Sequence, residues 1–158
     1  MRYEENQNFS VWVYALLAVT NTAAIGGLLA AQHEKPELIW TLAFVVPVLL
    51  WVWDLMHLRF RVADGEIYAQ LGRNVPTFWK HIPLKDVSEL RVVRYSPLRD
   101  GGGWGWRIGR FEGAGCWFYN ARGNRGVFFR TPQRNYILGS QEPEALLAAI
   151  VEAQAKYI

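Results

Sequence analysis

The chain has 158 residues, 51% of them apolar, with eight tryptophans, one cysteine and a formal net charge of +3. That length admits one soluble domain of ordinary size or a smaller domain beside a membrane element, and the single Cys116 excludes an internal disulfide. The charge is laid unevenly: residues 1–58 carry two Lys/Arg against five acids, residues 59–158 fifteen against nine.

The opening segment, residues 1–10, is MRYEENQNFS, polar and mixed in sign. It lacks the basic start of a cleaved signal peptide and reads as a short cytoplasmic segment ahead of a retained helix. Val11 to Gln32 then runs 22 residues without a formal charge, and Leu38 to Trp53 runs 16 more before the pattern trails off through Asp54 and His57 to Leu58. At about 1.5 Å per residue, 11–32 and 38–58 each cover roughly the 30 Å of a bilayer's hydrocarbon core. The expectation for residues 11–58 is a hairpin of two transmembrane spans.

Basic residues resist translocation. Arg59 and Arg61 follow the second apolar run directly, with Arg73 and Lys80 beyond, whereas the loop between the runs offers only Lys35 and the amino-terminal side only Arg2. Both termini are therefore expected in the cytoplasm. Trp12, Tyr14, Trp51 and Trp53 would form the cytoplasmic aromatic belt, with Trp40 at the opposite boundary. Pro47 should bend the second helix near Phe44. Ala23 and Gly27, spaced i and i+4, offer a small-residue face on which the second helix could pack closely, and Asn21 needs an amide partner inside the hairpin or its homo-oligomer. Asp54 and His57 fall at headgroup level, which fits an interfacial place better than a proton relay.

After Leu58 the period shortens. LRFRVADGEIYAQL reads as a β-hairpin turning at Asp64-Gly65, and TFWKHI, ELRVVRY, WGWRIG, CWFYNA, GVFFR and NYILGS continue the series to about eight strands. The tail returns to a helical period: Ser140 is the expected N-cap, Pro143 suits the first turn, and Leu146, Leu147, Ile150, Val151, Tyr157 and Ile158 share one face. The fold class is thus a membrane α-hairpin followed, over 59–158, by a mainly-β domain: an antiparallel meandering sheet or barrel closed by a C-terminal amphipathic helix.

GGGWGWRIG is no dinucleotide fingerprint, because its glycines lack the spacing and no helix starts there to receive a pyrophosphate. It reads as a bulged loop between strands, with positive φ angles, packed by Trp104 and Trp106. Arg107, Arg110, Arg122 and Arg125 superficially resemble a nucleic-acid arm, but they alternate with strand formers beside a membrane and suit solvated sheet edges or anionic headgroups better. His33, His57 and His81 are scattered without metal-ligand spacing, and no nucleophile elbow is present. No catalytic residue, metal or cofactor is expected.

YSPLRDGGGWGWRIGR, YNARGNRGV and ILGSQEPEAL together resemble the bacterial PH-like, membrane-flanked proteins. The matching positions are Tyr95, Pro97, Arg99, Gly102 to Gly105, Tyr119, Asn120, Gly123, Asn124, Gly126, Ile137, Gly139 to Gln141 and Pro143. The resemblance implies a PH-like domain behind a helical hairpin in a bacterial inner membrane, and it carries no general biochemical activity. The chain departs from that pattern at CWF, where an exposed Trp117-Phe118 pair would suit a partner.

The expected function is a non-catalytic interaction protein, an accessory, assembly or stabilising subunit of a respiratory, photosynthetic or transport complex. Its partners would be other integral-membrane subunits and an anionic phospholipid surface, with homo-oligomerisation possible and nucleic acid not expected. The candidate surface is Arg59, Arg61, Trp104, Trp106, Arg107, Arg110, Trp117 and Phe118; the candidate intramembrane contact is Asn21, Ala23 and Gly27. An anionic-lipid sensor using Arg59, Arg61, Arg107 and Arg110 is the alternative, and a proton-transfer or transport component a third.

Overall fold

A computed structural model describes residues 3–32, 34–75 and 77–157. Strand β1 (Tyr3–Asn8) precedes helix α1 (Val11–Ala31); a 3-10 turn at Pro36–Leu38 leads into helix α2 (Ile39–Asp54). Eight strands follow: β2 (His57–Ala63), β3 (Glu66–Leu71), β4 (Phe78–Pro83), β5 (Ser88–Arg94), β6 (Gly105–Phe111), β7 (Ala114–Asn120), β8 (Arg125–Arg130) and β9 (Asn135–Gly139). Helix α3 (Pro143–Tyr157) ends the described chain.

The β-rich region is two sheets without a closed barrel. The first is antiparallel with order β1-β2-β3-β4, the second has order β5-β8-β9-β7-β6. The second corrects the expected meander, because β9 lies between β8 and β7 and runs parallel to β7. Its residues Tyr136, Ile137 and Leu138 are buried on both faces, so β9 belongs in the sheet's interior, where both faces are covered.

The polar segment before α1 is itself a strand. Tyr3–Asn8 pairs antiparallel with His57–Ala63, from Tyr3 opposite Val62 to Asn8 opposite His57. The helical hairpin is consequently inserted between two neighbouring strands of one sheet. Glu5 on β1 also reaches the far end of the chain: its carboxylate accepts from the Ser140 hydroxyl at 2.6 Å and the Gln141 amide at 2.8 Å. Buried Gln7 donates to the Gly139 carbonyl at 2.7 Å.

The Asp64-Gly65 turn forms as expected, with φ of 54° and 79°, the paired left-handed conformation of a tight β-hairpin. Leu58, Phe60 and Val62 of β2 meet Tyr119, Phe129 and Leu138 of the second sheet in the main core, which Leu146 and Ile150 of α3 close. The face of α3 is narrower than expected: Val151 and Tyr157 are exposed, Leu147 is half-buried, and Ile158 lies outside the described residues, as does Arg2. Ser140 is not the N-cap either. Its oxygen accepts from the Glu142 amide at 3.0 Å in a turn just before Pro143, the helix's first residue.

Helix α1, at 21 residues, is the one described helix long and apolar enough to cross a membrane. Helix α2 has 16 residues, or about 24 Å, short of the hydrocarbon thickness. The expected second span is cut short because the chain leaves the helix after Asp54 and His57 is already paired in β2. Neither helix has a buried residue. Their partly covered positions nevertheless form two stripes, Leu17, Asn21, Ile25 and Leu28 on α1 and Leu42, Val45, Leu49 and Val52 on α2, each at helical spacing.

Candidate interaction site

The hairpin meets the sheets through its base. The Tyr14 hydroxyl donates to the Met56 carbonyl at 2.9 Å, and the Tyr14 and Trp53 rings lie 5.5 Å apart. With the Asn21 amide oriented to satisfy both its ends, its oxygen accepts from the Trp53 indole N–H at 2.9 Å and its nitrogen donates to the Leu17 carbonyl at 3.3 Å. Asn21 thus finds its partner within the hairpin. Ala23 and Gly27 do not: both are exposed, and a methyl group at Gly27 would meet nothing within 4 Å. The expected close packing on that face is corrected, because α2 lies along the Asn21 stripe, about 100° per residue away around the helix.

Asp54 ends α2 by fastening a loop. Its carboxylate accepts from the Asn74 backbone N–H at 2.9 Å, the Asn74 side-chain amide at 2.7 Å and the Val75 N–H at 3.0 Å. These bonds assign it a structural place at the hairpin's foot and hold the segment that carries Arg73.

On one side of this base lies an apolar groove of about 690 Å³, walled by Phe9, Val13, Leu55 and Met56 from the hairpin's foot and by Trp104, Trp106 and Ile108 opposite. The glycine-rich stretch builds that opposite wall. Gly102, Gly103 and Gly105 have φ of 71°, 135° and 93°, as the loop reading required. Gly109 serves differently, since a Cβ there would stand 2.0 Å from the Asp100 carbonyl oxygen, which accepts the Arg110 N–H at 2.9 Å. Trp106 is stacked on Phe78, ring centroids 5.1 Å apart, and meets Trp117 edge-on at 5.3 Å. Trp104 remains exposed on the rim beside Ile108 and Leu98. Arg107 also reaches this rim; its guanidinium donates to the Trp106 carbonyl at 2.9 Å and is in no ion pair with a described residue.

The Trp117-Phe118 surface is corrected. Phe118 is fully buried in a second core on the outer face of the second sheet, with Tyr95, Cys116, Phe128 and Ile137, because alternation along β7 sends it away from Trp117. Trp117 is half-covered, with the Arg134 guanidinium 4.0 Å above its ring. Burial pushes the Cys116 thiol up to about 12, leaving it a core side chain without nucleophilic character at neutral pH.

The four arginines of the lipid-surface expectation do not gather into one pocket, although Arg59 and Arg61 share the outward face of β2. Arg61 pairs with Asp64 at 3.4 Å and lines a groove against α3; Arg110 is exposed on edge strand β6; Arg107 joins the apolar groove. Arg59 lines a separate polar pocket of about 260 Å³ with Asn6, His57, Gln70, Gly72 and Arg73. That convergence of His57, Arg59 and Arg73 was not legible as a site. Its only sequence signal is a basic residue two places from the helix-to-strand boundary and another directly after Gly72.

Among the described residues no three His, Cys, Asp or Glu side chains come together in a metal-binding group. Comparison with family models, with curated proteins and with solved structures returns no match, so the assignment of this region rests on its own geometry.

Proposed function

We propose that this chain is a non-catalytic integral-membrane interaction protein, an accessory or stabilising subunit that holds a PH-like domain at the cytoplasmic face of a bacterial membrane and packs against an apolar segment of another membrane subunit. The observation that carries this reading is adjacency: the unburied, mostly apolar helices α1 and α2 lead into the groove of Phe9, Val13, Leu55, Met56 and Trp104, to which α1 itself contributes Val13 and the residues just after α2 contribute Leu55 and Met56. An exposed apolar surface of this kind belongs against lipid or protein. The PH-like reading of the domain rests on two packed sheets with a terminal helix, and on the resemblance described above; the parallel β7–β9 pair departs from a simple meander.

The two-span reading is supported by strand pairing. Because β1 and β2 are hydrogen-bonded neighbours, a chain that crosses the bilayer along α1 must return along α2 to the side it left. The shortness of α2 is accommodated by local thinning of the bilayer, at a fraction of a kcal/mol per Å. A cysteine placed at Glu34 tests the crossing, since native Cys116 is buried. Intact cells should show labelling of that cysteine by a membrane-impermeant maleimide; protection there, with labelling only after lysis, removes the spanning reading. For the partner, mild-detergent purification should return a stoichiometric membrane subunit that is lost on Trp104→Ala or Val13→Asp. Recovery of only the lone chain or its homo-oligomer counts against the subunit reading.

A further inference from the structure

We infer that His57, Arg59 and Arg73 form a discrete site for the phosphate of an anionic phospholipid headgroup, placed at the foot of the hairpin on the outer face of the first sheet. The inference rests on the membrane reading for the depth of the site, and on the pocket itself for its chemistry.

Backbone pairing and a tethered loop define the pocket. His57 opens β2 three residues after α2 ends, and its carbonyl accepts the Gly72 N–H at 2.8 Å, which draws the 72–75 segment beside it. Asp54 then fixes that segment through Asn74 and Val75, so Arg73 is presented from a tethered loop and not from a free one. The pocket, open to solvent and of about 260 Å³, has room for a phosphodiester and several waters, a water taking up roughly 30 Å³. Gln70 forms a wall: its amide nitrogen donates to the Gly72 carbonyl at 2.7 Å and its oxygen accepts from Tyr68.

The charges facing His57 make the pocket incomplete without an anion. Its two ring nitrogens face amide oxygens, Nδ1 to Asn8 Oδ1 at 2.9 Å and Nε2 to Asn6 Oδ1 at 3.3 Å. Asn6 is oriented by an obligate donor, because the same oxygen accepts Arg59 Nε–H at 3.0 Å. Two acceptors suit a doubly protonated ring. Burial together with Arg73 and Arg59 nevertheless holds the imidazole below its ordinary value, with Asp54 opposing them only in part. Glu4 balances Arg59 at 3.0 Å, while Arg73 is in no ion pair with a described residue. A phosphate between the guanidinia would cancel the field on the ring, let it protonate between its two acceptors and give Arg73 a bidentate partner.

This differs from a diffuse electrostatic attraction, in which every basic side chain near the surface contributes alike. It also selects the lipid class. A phosphate whose headgroup carries its own cation, as in phosphatidylcholine, would bring a like charge against this cluster, whereas phosphatidylglycerol would not.

The test uses the full chain in maltoside micelles. His57 is followed by imidazole NMR, assigned with His57→Gln, while short-chain phosphatidylglycerol, short-chain phosphatidylcholine or inorganic phosphate is added. Phosphatidylglycerol should saturate and raise the His57 midpoint by about one pH unit, which by linkage means about tenfold tighter binding to the protonated ring. Arg73→Gln should weaken binding at least tenfold, on the order of one bidentate contact, and abolish the shift; Arg61→Gln, which lines a different groove, should change neither. Equal response to phosphatidylcholine, or equal loss in Arg61→Gln and Arg73→Gln, overturns the site. A response to inorganic phosphate at the same concentration overturns the lipid assignment in favour of a soluble phosphate. Because this measurement needs no bilayer, its failure is separable from failure of the Glu34 labelling experiment.

Discussion

Phe118 and Trp104 show how little residue type says about exposure. Both are aromatic and lie in one loop-and-strand region, yet Phe118 is fully buried and Trp104 stands on a groove rim. Phe118→Ala should therefore cost about 3–5 kcal/mol in a denaturant melt, the loss of transfer energy plus the cavity left in the second core. Trp104→Ala should leave the melt within about 0.5 kcal/mol, as for surface positions without special contacts, and should act on partner retention instead. His57 supplies a pH signature. Its folded value lies below the unfolded 6.5, so the unfolded chain binds more protons as the pH falls past that value, and stability must drop on acidification. Thermal melts of lipid-free protein should fall from pH 7.5 to 5.5, and His57→Gln should flatten that part of the profile. The lowered carboxylates Asp100, Glu112 and Glu144 leave this window clear, because they lose their contribution only as the pH falls below their ordinary values near 4.

At the scale of elements, the hairpin is held by a few polar bonds at its lower half and by loosely packed stripes above. The Trp53 to Asn21 bond lies on the α1–α2 seam, and interhelical bonds of this kind contribute about 0.6 kcal/mol, up to about 1.7. Asn21→Leu should accordingly weaken hairpin association by about 1 kcal/mol, measured as earlier loss of the Trp53 fluorescence environment on denaturation in detergent, without disturbing the sheets. The second sheet depends on close backbone approach. A methyl at Gly109 would collide with the backbone of Asp100, and backbone cannot swing aside as a side chain can. Gly109→Ala should cost about 1–3 kcal/mol and loosen the 96–103 segment over Phe118, read as faster amide exchange there.

For the molecule as a whole, the insertion of the helical hairpin between β1 and β2 ties the hairpin to the folding of the sheets. The first strand pairs with the strand that follows the hairpin and, through Glu5, holds the turn into the last helix. Four donors converge on that carboxylate: Tyr3, Gln7, Ser140 and Gln141. Hydrogen bonds to a charged group contribute about 1.5–3 kcal/mol each, and part of that is recovered from water at this half-exposed position. Glu5→Ala should cost about 2 kcal/mol in a two-state melt and release β1 to rapid amide exchange. A change confined to β1, with α3 unaffected, would mean the two ends are not coupled.

The sequence by itself determined the local alphabet of this protein. Charge-free runs marked α1 and the start of α2, period-two patterns marked β2 to β9, and Asp64-Gly65 marked its hairpin, because each signal is written within a few neighbouring residues. Tertiary structure alone decided that YEENQN is a strand, that β9 lies between β8 and β7, that Phe118 faces inward while Ala23 and Gly27 face outward, and that Arg73 reaches His57. Each of those outcomes is a pairing between distant segments. β1 has almost no apolar alternation to announce it; its place comes from hydrogen bonds to β2 and from buried Gln7, whose partner Gly139 is 132 residues away. Such long-range partners leave no periodic trace in the chain, since what fixes them is the need of each buried polar group to find a bond wherever the fold supplies one.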